Sequence, residues 1–403
     1  MRLIILNVLI NGAESTGVRM ARLLASLGMQ VSLGKHSICP DDPQTREILI
    51  MKEEFGPIQV YLTGHIDLES RLVEARRWGI NAIPMQEAFT RGPDKFPDAV
   101  IDCSSKEEAA WNLTHIYNTP SYTPHLLPGT IERRLSKTQF LSAPNSRSGM
   151  EICNYLMSDS RHAGQDSTAC AMIIGTLLGT IEPQKIAGID VGIRKSYSGP
   201  GERLPNPLRP TEYETSPFEK TEILESLPQL ENKVRVRSNR NPWANYDRYD
   251  ISIALRSPLS KEQQDGLNSA FSGHKRCIFT RYDLGGSAYD LATQGVNEVK
   301  RACAEIGLLE SDSLLPTLSL DFPSQHSVLI RGYVPTRTGA ALSSIDWLWV
   351  ATGKADSLET ACMKTDLVEW HGMNISKLKR RMEDILNRGY VHTQQAVEYK
   401  MAA

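Results

Sequence analysis

The sequence predicts an α/β protein of two domains, the first of them a Rossmann-like, doubly wound parallel sheet. Its 403 residues exceed the usual size of one domain. Strands alternate with helices over the first 140 residues, which is the pattern of a parallel sheet covered by helices on both faces. The chain also opens with a strand, a glycine-containing turn and a helix, the arrangement with which nucleotide-binding sheets begin.

Hydrophobic patterning predicts the first elements of this sheet. Residues 2–10 form a nearly continuous apolar run, which suits a strand covered on both faces. Residues 18–27 carry apolar side chains at helical spacing, and Gly28 is suited to end that helix. A second strand follows at residues 30–33, which completes a β-α-β start. Further strands are predicted at residues 58–62, 82–83 and 98–103, with a helix from residue 106.

The turn after the first strand matches two of the three glycines of the dinucleotide-binding fingerprint. Gly12 and Gly17 stand at the first and third positions, but Glu14 stands where the middle glycine lets the backbone approach a diphosphate. A carboxylate there is bulky and repels phosphate. The turn therefore predicts either a dinucleotide site or a strand–turn–helix that binds nothing. The residues predicted to contact a cofactor here are Asn11, Gly12, Glu14, Ser15, Thr16 and Gly17.

Lys35 lies just past the second strand, where NAD-binding enzymes place the carboxylate that reads the ribose 2′-hydroxyl. A cation at this position favours a 2′-phosphate and therefore predicts NADP rather than NAD. The alternative interpretation is an ordinary solvated lysine at the surface.

Composition and charge exclude several function classes. The net charge is -2 and no basic stripe is present, so we expect no nucleic-acid partner. The longest apolar stretch, residues 169–181, is too short to cross a bilayer and predicts a buried helix. The apolar start, residues 1–10, is too short for a secretory signal. The seven scattered cysteines, without a CxxC pair, predict reduced thiols and a cytoplasmic protein with no membrane association.

The order of several short motifs resembles that of the archaeal-type (class II) glyceraldehyde-3-phosphate dehydrogenases. The similar segments span most of the chain and are Ile10-Asn11-Gly12 with Gly17, Val100-Ile101-Asp102-Cys103-Ser104, Ile193-Arg194-Lys195, Leu204-Pro205-Asn206-Pro207, residues 281–308 and residues 328–335.

This resemblance implies a nucleotide domain over residues 1–140 and an α+β domain with a mixed sheet over residues 141–365. It further implies a final helix within residues 366–403 that returns to the first domain. In the family the mixed sheet mediates homodimer or homotetramer contacts. The resemblance also places Cys103 and Ser104 near the nicotinamide, among the cofactor-binding residues.

The catalytic residues of that family are missing at the matching positions. In the register of the resemblance, the nucleophilic thiol falls on Gln165, which cannot form a thioester. The family's pair of histidines falls on Asp247 and Tyr249, and these three residues form the predicted catalytic set. The nearest cysteines, Cys153 and Cys170, lie in settings typical of buried thiols. We therefore expect no phosphorylating aldehyde oxidation.

The residues at these positions still permit chemistry. Asp247 and Tyr249 either exchange protons with a substrate or form a hydrogen-bonded structural pair. Two hydroxyls at a helix start and two cations at a strand end predict a site for an anionic group, with a solvated strand end as the alternative. The residues of this predicted anion site are Ser167, Thr168, Arg194 and Lys195.

Two functions follow from these observations. The first is an NAD(P)-dependent oxidoreductase that transfers hydride to or from a carbonyl or imine of a small molecule without a covalent intermediate. The second is a non-catalytic binding or scaffold relative that keeps the fold. Transferase or lyase chemistry in the same cleft is a third alternative. No metal site is predicted, because His162 and Asp166 have no third ligand nearby in the sequence.

Overall fold

The chain forms two compact units, which a computed structural model describes over residues 6–12, 15–39, 41–64, 67–90, 97–104, 108, 111–112, 115–116, 125–127, 157–159, 164–196, 214–241, 246–281, 291–308, 314–335 and 339–402. The first unit contains the described residues up to 159 together with residues 340–374. The second contains the described residues from 164 to 339 together with residues 375–402.

The first unit is built on a sheet whose neighbouring strands all run parallel. Its strands are β1 (Asn7–Asn11), β2 (Gln30–Lys35), β3 (Gln59–Leu62), β4 (Ala82–Pro84), β5 (Ala99–Asp102), β6 (His125–Leu127) and β7 (Met157–Asp159). They are ordered β4-β3-β2-β1-β5-β6-β7. Strands β2, β3 and β4 thus lie on one side of β1, and strands β5, β6 and β7 lie on the other side.

Helices connect the first four strands and help to form the core. They are α1 (Ser15–Ser26), α2 (Pro43–Phe55) and α3 (Leu68–Arg77), and a short 3-10 helix, Met85–Phe89, follows β4. The carboxylate of Asp42 caps α2 by accepting a hydrogen bond from the Gln44 N–H. Met85 and Phe89 pack with Leu9 and Val100 in one buried cluster, because both strands present apolar side chains to this face.

The second unit is built on a mixed sheet. Its strands are β8 (Ile186–Ser196), β9 (Glu214–Thr215), β10 (Val234–Asn241), β11 (Tyr246–Leu255), β12 (Ile278–Thr280), β13 (Thr317–Ser324) and β14 (Ser327–Pro335), and its helices are α4 (Gly164–Leu178), α5 (Pro217–Ser226), α6 (Lys261–Ser272) and α7 (Leu291–Glu305). The strand order is β12-β13-β14-β11-β8-β10-β9. Helix α4 packs on β8, β11 and β14, and its residues 169–174 are buried, which confirms the predicted buried helix.

After β14 the chain contributes to both units. It forms α8 (Gly339–Ala351), α9 (Leu358–Thr365), the hairpin β15 (Glu369–Trp370) with β16 (Met373–Asn374), and α10 (Ile375–Ala402). Residues 340–374 belong to the first unit, where β15 contacts α1 and the Trp347 side chain is fully buried. Helix α10 packs on α7 and β12 in the second unit.

The segment that returns to the first unit therefore differs from the one expected from the resemblance, which placed it within residues 366–403. The physical reason lies in the two helices. Helix α8 is apolar around most of its surface, so it must be buried. Helix α10 has one apolar face, and elements of the second unit cover it.

The predicted α/β class is confirmed, with one parallel sheet and a separate mixed sheet. Within the described residues, no helix is both long enough and apolar enough to cross a membrane.

Candidate functional site

The candidate site lies at the carboxyl edge of the first sheet, between β1 and β5. Strands β2 to β4 lie on one side of β1, whereas β5 and the strands after it lie on the other side, so the strand order reverses between β1 and β5. Ligands of doubly wound sheets bind at such a switch point. Asn11 ends β1 and pairs in register with Asp102, which ends β5. The Cys103 N–H donates to the Asn11 carbonyl oxygen at 2.7 Å. The two strand ends are thus tied together where a ligand would approach.

The carboxylate of Asp102 is the centre of a buried hydrogen-bond network at this edge. Its Oδ2 accepts from Asn11 Nδ2 at 3.1 Å and from Asn112 Nδ2 at 3.2 Å. Its Oδ1 accepts from the Ser104 backbone N–H at 2.9 Å and from the Ser104 hydroxyl. Asp102 is 1% exposed, so these four donors replace the water that the carboxylate has lost.

Asn112 leaves a buried acceptor beside this network. Its amide nitrogen must face Asp102, because a carboxylate accepts hydrogen bonds. Its Oδ1 then points elsewhere, and it is buried without a hydrogen-bond partner. A buried carbonyl oxygen of this kind costs free energy unless a donor reaches it. A ligand that carries an N–H or O–H group would supply such a donor.

The turn from β1 to α1 depends on two glycines with different roles. Gly12 has a φ of +78°, and a Cβ there would overlap the backbone of Cys103 and Ser104. A Cβ at Gly17 would overlap the Gly12 carbonyl oxygen. These are the roles of the first and third fingerprint glycines, namely a tight turn and close packing of helix on strand. The Gly12 N–H donates to Asn11 Oδ1 at 3.0 Å, which further tightens the turn.

Lys35 ends β2 at the same edge of the sheet, and its ammonium group is paired. Its Nζ lies 2.7 Å from Asp42 Oδ2, and its side chain is 3% exposed. Asp42 also accepts hydrogen bonds from the Gln44 N–H at 3.1 Å and from the Thr45 hydroxyl at 3.0 Å. Burial raises the pKa of Asp42, but Lys35 and these donors outweigh it and hold the pKa below its usual value. Lys35 is therefore not the solvated surface lysine that the sequence also allowed.

Arg71 of α3 holds the ends of β2 and β3. Its Nη1 donates to the carbonyl oxygens of His36 and, at 2.8 Å, Thr63, and its Nη2 donates to that of Gly64 at 3.3 Å. Two buried polar atoms here, Arg71 Nε and Thr63 Oγ1, have no hydrogen-bond partner. Both terminal nitrogens of the guanidinium thus donate hydrogen bonds to backbone carbonyl oxygens.

Cys103 is not a reactive thiol in this setting. It is half-buried between the two strand ends, and burial together with the Asp102 carboxylate raises the pKa of its thiol. A thiol with a raised pKa is rarely ionised and is a poor nucleophile. The Ser104 hydroxyl donates a hydrogen bond to the Asp102 carboxylate.

Among the other predicted cofactor contacts, Glu14 lies outside the described residues. Ser15 and Thr16 begin α1, and only their backbone is described.

Tyr249 is a core residue of the second unit. It is 1% exposed, and its hydroxyl donates to the Thr317 carbonyl oxygen at 3.4 Å. Burial, with smaller contributions from Cys277 and Cys170, raises the pKa of Tyr249 well above its usual value. This environment suits packing rather than proton transfer to a substrate. Asp247, the other predicted proton carrier, is 8% exposed at the start of β11.

The structure does not bring Arg194 to the start of α4. Arg194 pairs in register with Arg248, and both lie near Tyr333, whose ring is 6.0 Å from the Arg248 guanidinium carbon. Tyr249 follows Arg248 and therefore points to the opposite face, where it approaches Cys170 of α4. Arg194 and α4 thus lie on opposite faces of the sheet. The remaining predicted residues lie in α4 (Gln165, Ser167 and Thr168) and at the end of β8 (Lys195), and only their backbone is described.

Sequence reasoning missed three residues of the candidate site. The sequence pattern places Asp102 in a strand without a further role, and it assigns no role to Asn112 or Arg71. A signal for Asp102 was present, because a carboxylate at the end of a buried apolar strand needs several donors. Asn112 and Arg71 lie in helical stretches, and no local pattern shows that their side chains reach the strand ends.

No model of a known protein family matches this chain, and no curated protein matches it. The resemblance to class II glyceraldehyde-3-phosphate dehydrogenases therefore rests on the motifs described above. Within the described residues, no group of three or more His, Cys, Asp or Glu side chains is arranged to hold a metal ion.

Proposed function

We propose that the chain is an NAD(P)-dependent oxidoreductase that transfers hydride to or from a carbonyl or imine without a thioester intermediate. The observation that carries this proposal is the turn between β1 and α1. Gly12 and Gly17 keep side chains out of the switch point of a doubly wound sheet, and α1 begins there. A helix start with free backbone N–H groups is the usual partner of a diphosphate.

The residues present fit a nicotinamide dinucleotide. Gly12 and Gly17 give the tight turn and the close helix packing with which dinucleotide-binding sheets begin, and the unpartnered Asn112 Oδ1 suits an amide or hydroxyl donor. The end of β2, at Lys35, is where such sheets read the adenosine ribose. When bound, the dinucleotide supplies or accepts the hydride. The resemblance to class II glyceraldehyde-3-phosphate dehydrogenases supports the same cofactor class, an anionic substrate, a homo-oligomer and a cytoplasmic location.

Of the two predicted proton carriers, Asp247 is the one that we retain. Tyr249 is buried in apolar surroundings with a raised pKa, so it cannot readily release a proton near neutral pH. A carboxyl group is one of the side chains that act as general acids or bases in enzymes.

The proposal is tested by titrating the protein with NADH and NADPH. Quenching of the six tryptophans and the nicotinamide emission report binding. We expect micromolar binding of at least one cofactor. Gly17→Ala should weaken it by about tenfold or more, because the new Cβ overlaps the Gly12 carbonyl oxygen. Gly175→Ala is the matched control, because its Cβ meets only Leu227 Cδ2 at 3.9 Å. Absence of binding up to millimolar cofactor would refute the proposal.

A non-catalytic binding or scaffold protein is the second candidate. Two observations favour it. The Gly12 N–H is already used by Asn11 Oδ1, which leaves one donor fewer for a diphosphate. Tyr249 also has a packing role in place of the predicted catalytic one. The titration separates the candidates, because a scaffold protein with a degraded site would bind neither cofactor.

A further inference from the structure

The end of β2 carries a buried ion pair rather than a lone charge. Lys35 Nζ and Asp42 Oδ2 are 2.7 Å apart, with side-chain exposures of 3% and 21%. At this distance the two charges largely cancel for any group farther away than the pair is wide. The carboxylate is the more exposed of the two and is therefore the charge that an approaching ligand meets first.

Asp42 is held in place by interactions that do not involve Lys35. It is the N-cap residue of α2, and its Oδ1 accepts from the Gln44 N–H. Its Oδ2 accepts from the Thr45 hydroxyl, and Thr45 in turn accepts from the Cys39 N–H at 3.3 Å. The carboxylate therefore cannot swing away from Lys35 without uncapping the helix.

Arg71 is another cation described at these strand ends. Both of its terminal nitrogens donate to backbone carbonyls of the loops after β2 and β3. If the two terminal nitrogens of Arg71 turned toward a phosphate, those carbonyl oxygens would lose their hydrogen-bond donors. Arg71 therefore offers no bidentate contact to a phosphate. A 2′-phosphate, which carries nearly two negative charges, would thus meet the Asp42 carboxylate without a bidentate contact from Arg71.

We propose that the Lys35–Asp42 pair makes this site select a dinucleotide whose adenosine ribose carries a free 2′-hydroxyl, so that NAD(H) is bound in preference to NADP(H). This inference rests on the proposed cofactor-binding function. The Asp42 carboxylate accepts a hydrogen bond from the ribose hydroxyl and repels a phosphate, while Lys35 keeps that carboxylate ionised and fixed. The preference is opposite to the one that Lys35 alone predicts from the sequence.

The experiment compares equilibrium binding of NADH and NADPH to the intact protein and to two isosteric variants. Asp42→Asn keeps a good helix cap and removes the carboxylate charge that faces Lys35. Asp41→Asn removes the same charge from the neighbouring exposed residue and is the matched control. Far-UV circular dichroism and the unfolding midpoint establish that each variant is folded.

We expect the wild-type protein to bind NADH at least about tenfold more tightly than NADPH. Asp42→Asn should reduce that ratio by about tenfold or more, and Asp41→Asn should leave it unchanged. A wild-type preference for NADPH would overturn this inference while leaving the proposed function intact. An equal change of the ratio in both variants would also overturn it, because a general charge effect would then suffice. If neither cofactor binds the wild-type protein, the proposed function itself fails.

Discussion

The hydroxyl of Tyr249 occupies the space in which a side chain at Gly332 would begin. The two residues are register partners on β11 and β14, and a Cβ at position 332 would overlap the tyrosine Oη and Cζ. A tyrosine lying over a glycine on the adjacent strand fills the sheet surface without a cavity. Tyr249 can therefore pack in this position only because residue 332 is a glycine.

Gly332→Ala should destabilise the protein by about 1–3 kcal/mol, because the added methyl group overlaps both the Tyr249 side chain and the Thr317 carbonyl oxygen. Urea unfolding measures the loss. Gly175→Ala, inside α4 and with room for its Cβ, should instead raise the free energy of unfolding by about 0.5–1 kcal/mol. Equal effects of the two substitutions would show that Tyr249 and the strand that carries Thr317 both adjust without cost.

Asp102→Asn should lower the free energy of unfolding by about 2–4 kcal/mol. The amide nitrogen would face donors from Asn11, Asn112 or Ser104 inside the core, and at least one donor would lose its acceptor. Asp98→Asn is the control, because Asp98 accepts one exposed hydrogen bond, from the Asn7 N–H. Denaturant unfolding of both variants measures the difference. A loss below about 1 kcal/mol for Asp102→Asn would contradict the role of the buried network.

Stability should fall between about pH 6.5 and pH 4 because of His274. Burial, and then Arg276 and Lys379, lower its pKa from 6.5 to about 4. The unfolded chain therefore binds this proton first, so the free energy of unfolding decreases as the pH falls through that range. The full effect approaches about 3 kcal/mol. Urea unfolding at several pH values measures the slope.

His274→Gln should reduce that slope, since glutamine does not titrate and can still accept from the Arg276 N–H as the ring does. His36→Gln is the control, because His36 is exposed in the folded protein. A slope that persists unchanged in His274→Gln would assign the pH dependence to other groups.

Asp250→Asn should cost about 2–3 kcal/mol of stability. Asp250 binds Arg248 through both carboxylate oxygens, at 2.9 and 3.1 Å, and Arg248 stands directly opposite Arg194. Removing the carboxylate leaves two neighbouring guanidinium groups with less compensation on a largely buried surface. Thermal and urea unfolding provide the measurement. Asp190→Asn breaks a pair with Arg237 that is more exposed, so its loss should stay below about 1 kcal/mol.

Local hydrophobic patterns predicted most of the first sheet, because a parallel strand that is buried on both faces has a nearly continuous apolar sequence. The strands expected at residues 58–62 and 98–103 appear as β3 and β5. The turn glycines were also predictable, since a positive φ at Gly12 and tight packing at Gly17 follow from the strand–turn–helix geometry.

Long-range contacts were not predictable in this way. Nothing near Lys35 in the sequence indicates that Asp42 turns back to it, so a lone cation was the natural expectation. The face occupied by Arg194 depends on the register of β8 with β11, and a resemblance of motifs does not supply that register. The burial of Tyr249 depends in the same way on Gly332, which lies on another strand.

The division of the first unit between two stretches of chain has a consequence for protein synthesis. Residues 340–374, with the fully buried Trp347, complete a unit whose sheet is formed from the beginning of the chain. A ribosome finishes the whole central stretch, from 164 to 339, before it delivers that segment. The nascent first unit thus keeps apolar surface uncovered until residues 340–374 have been synthesised, and cells with ample chaperone capacity should yield more folded protein.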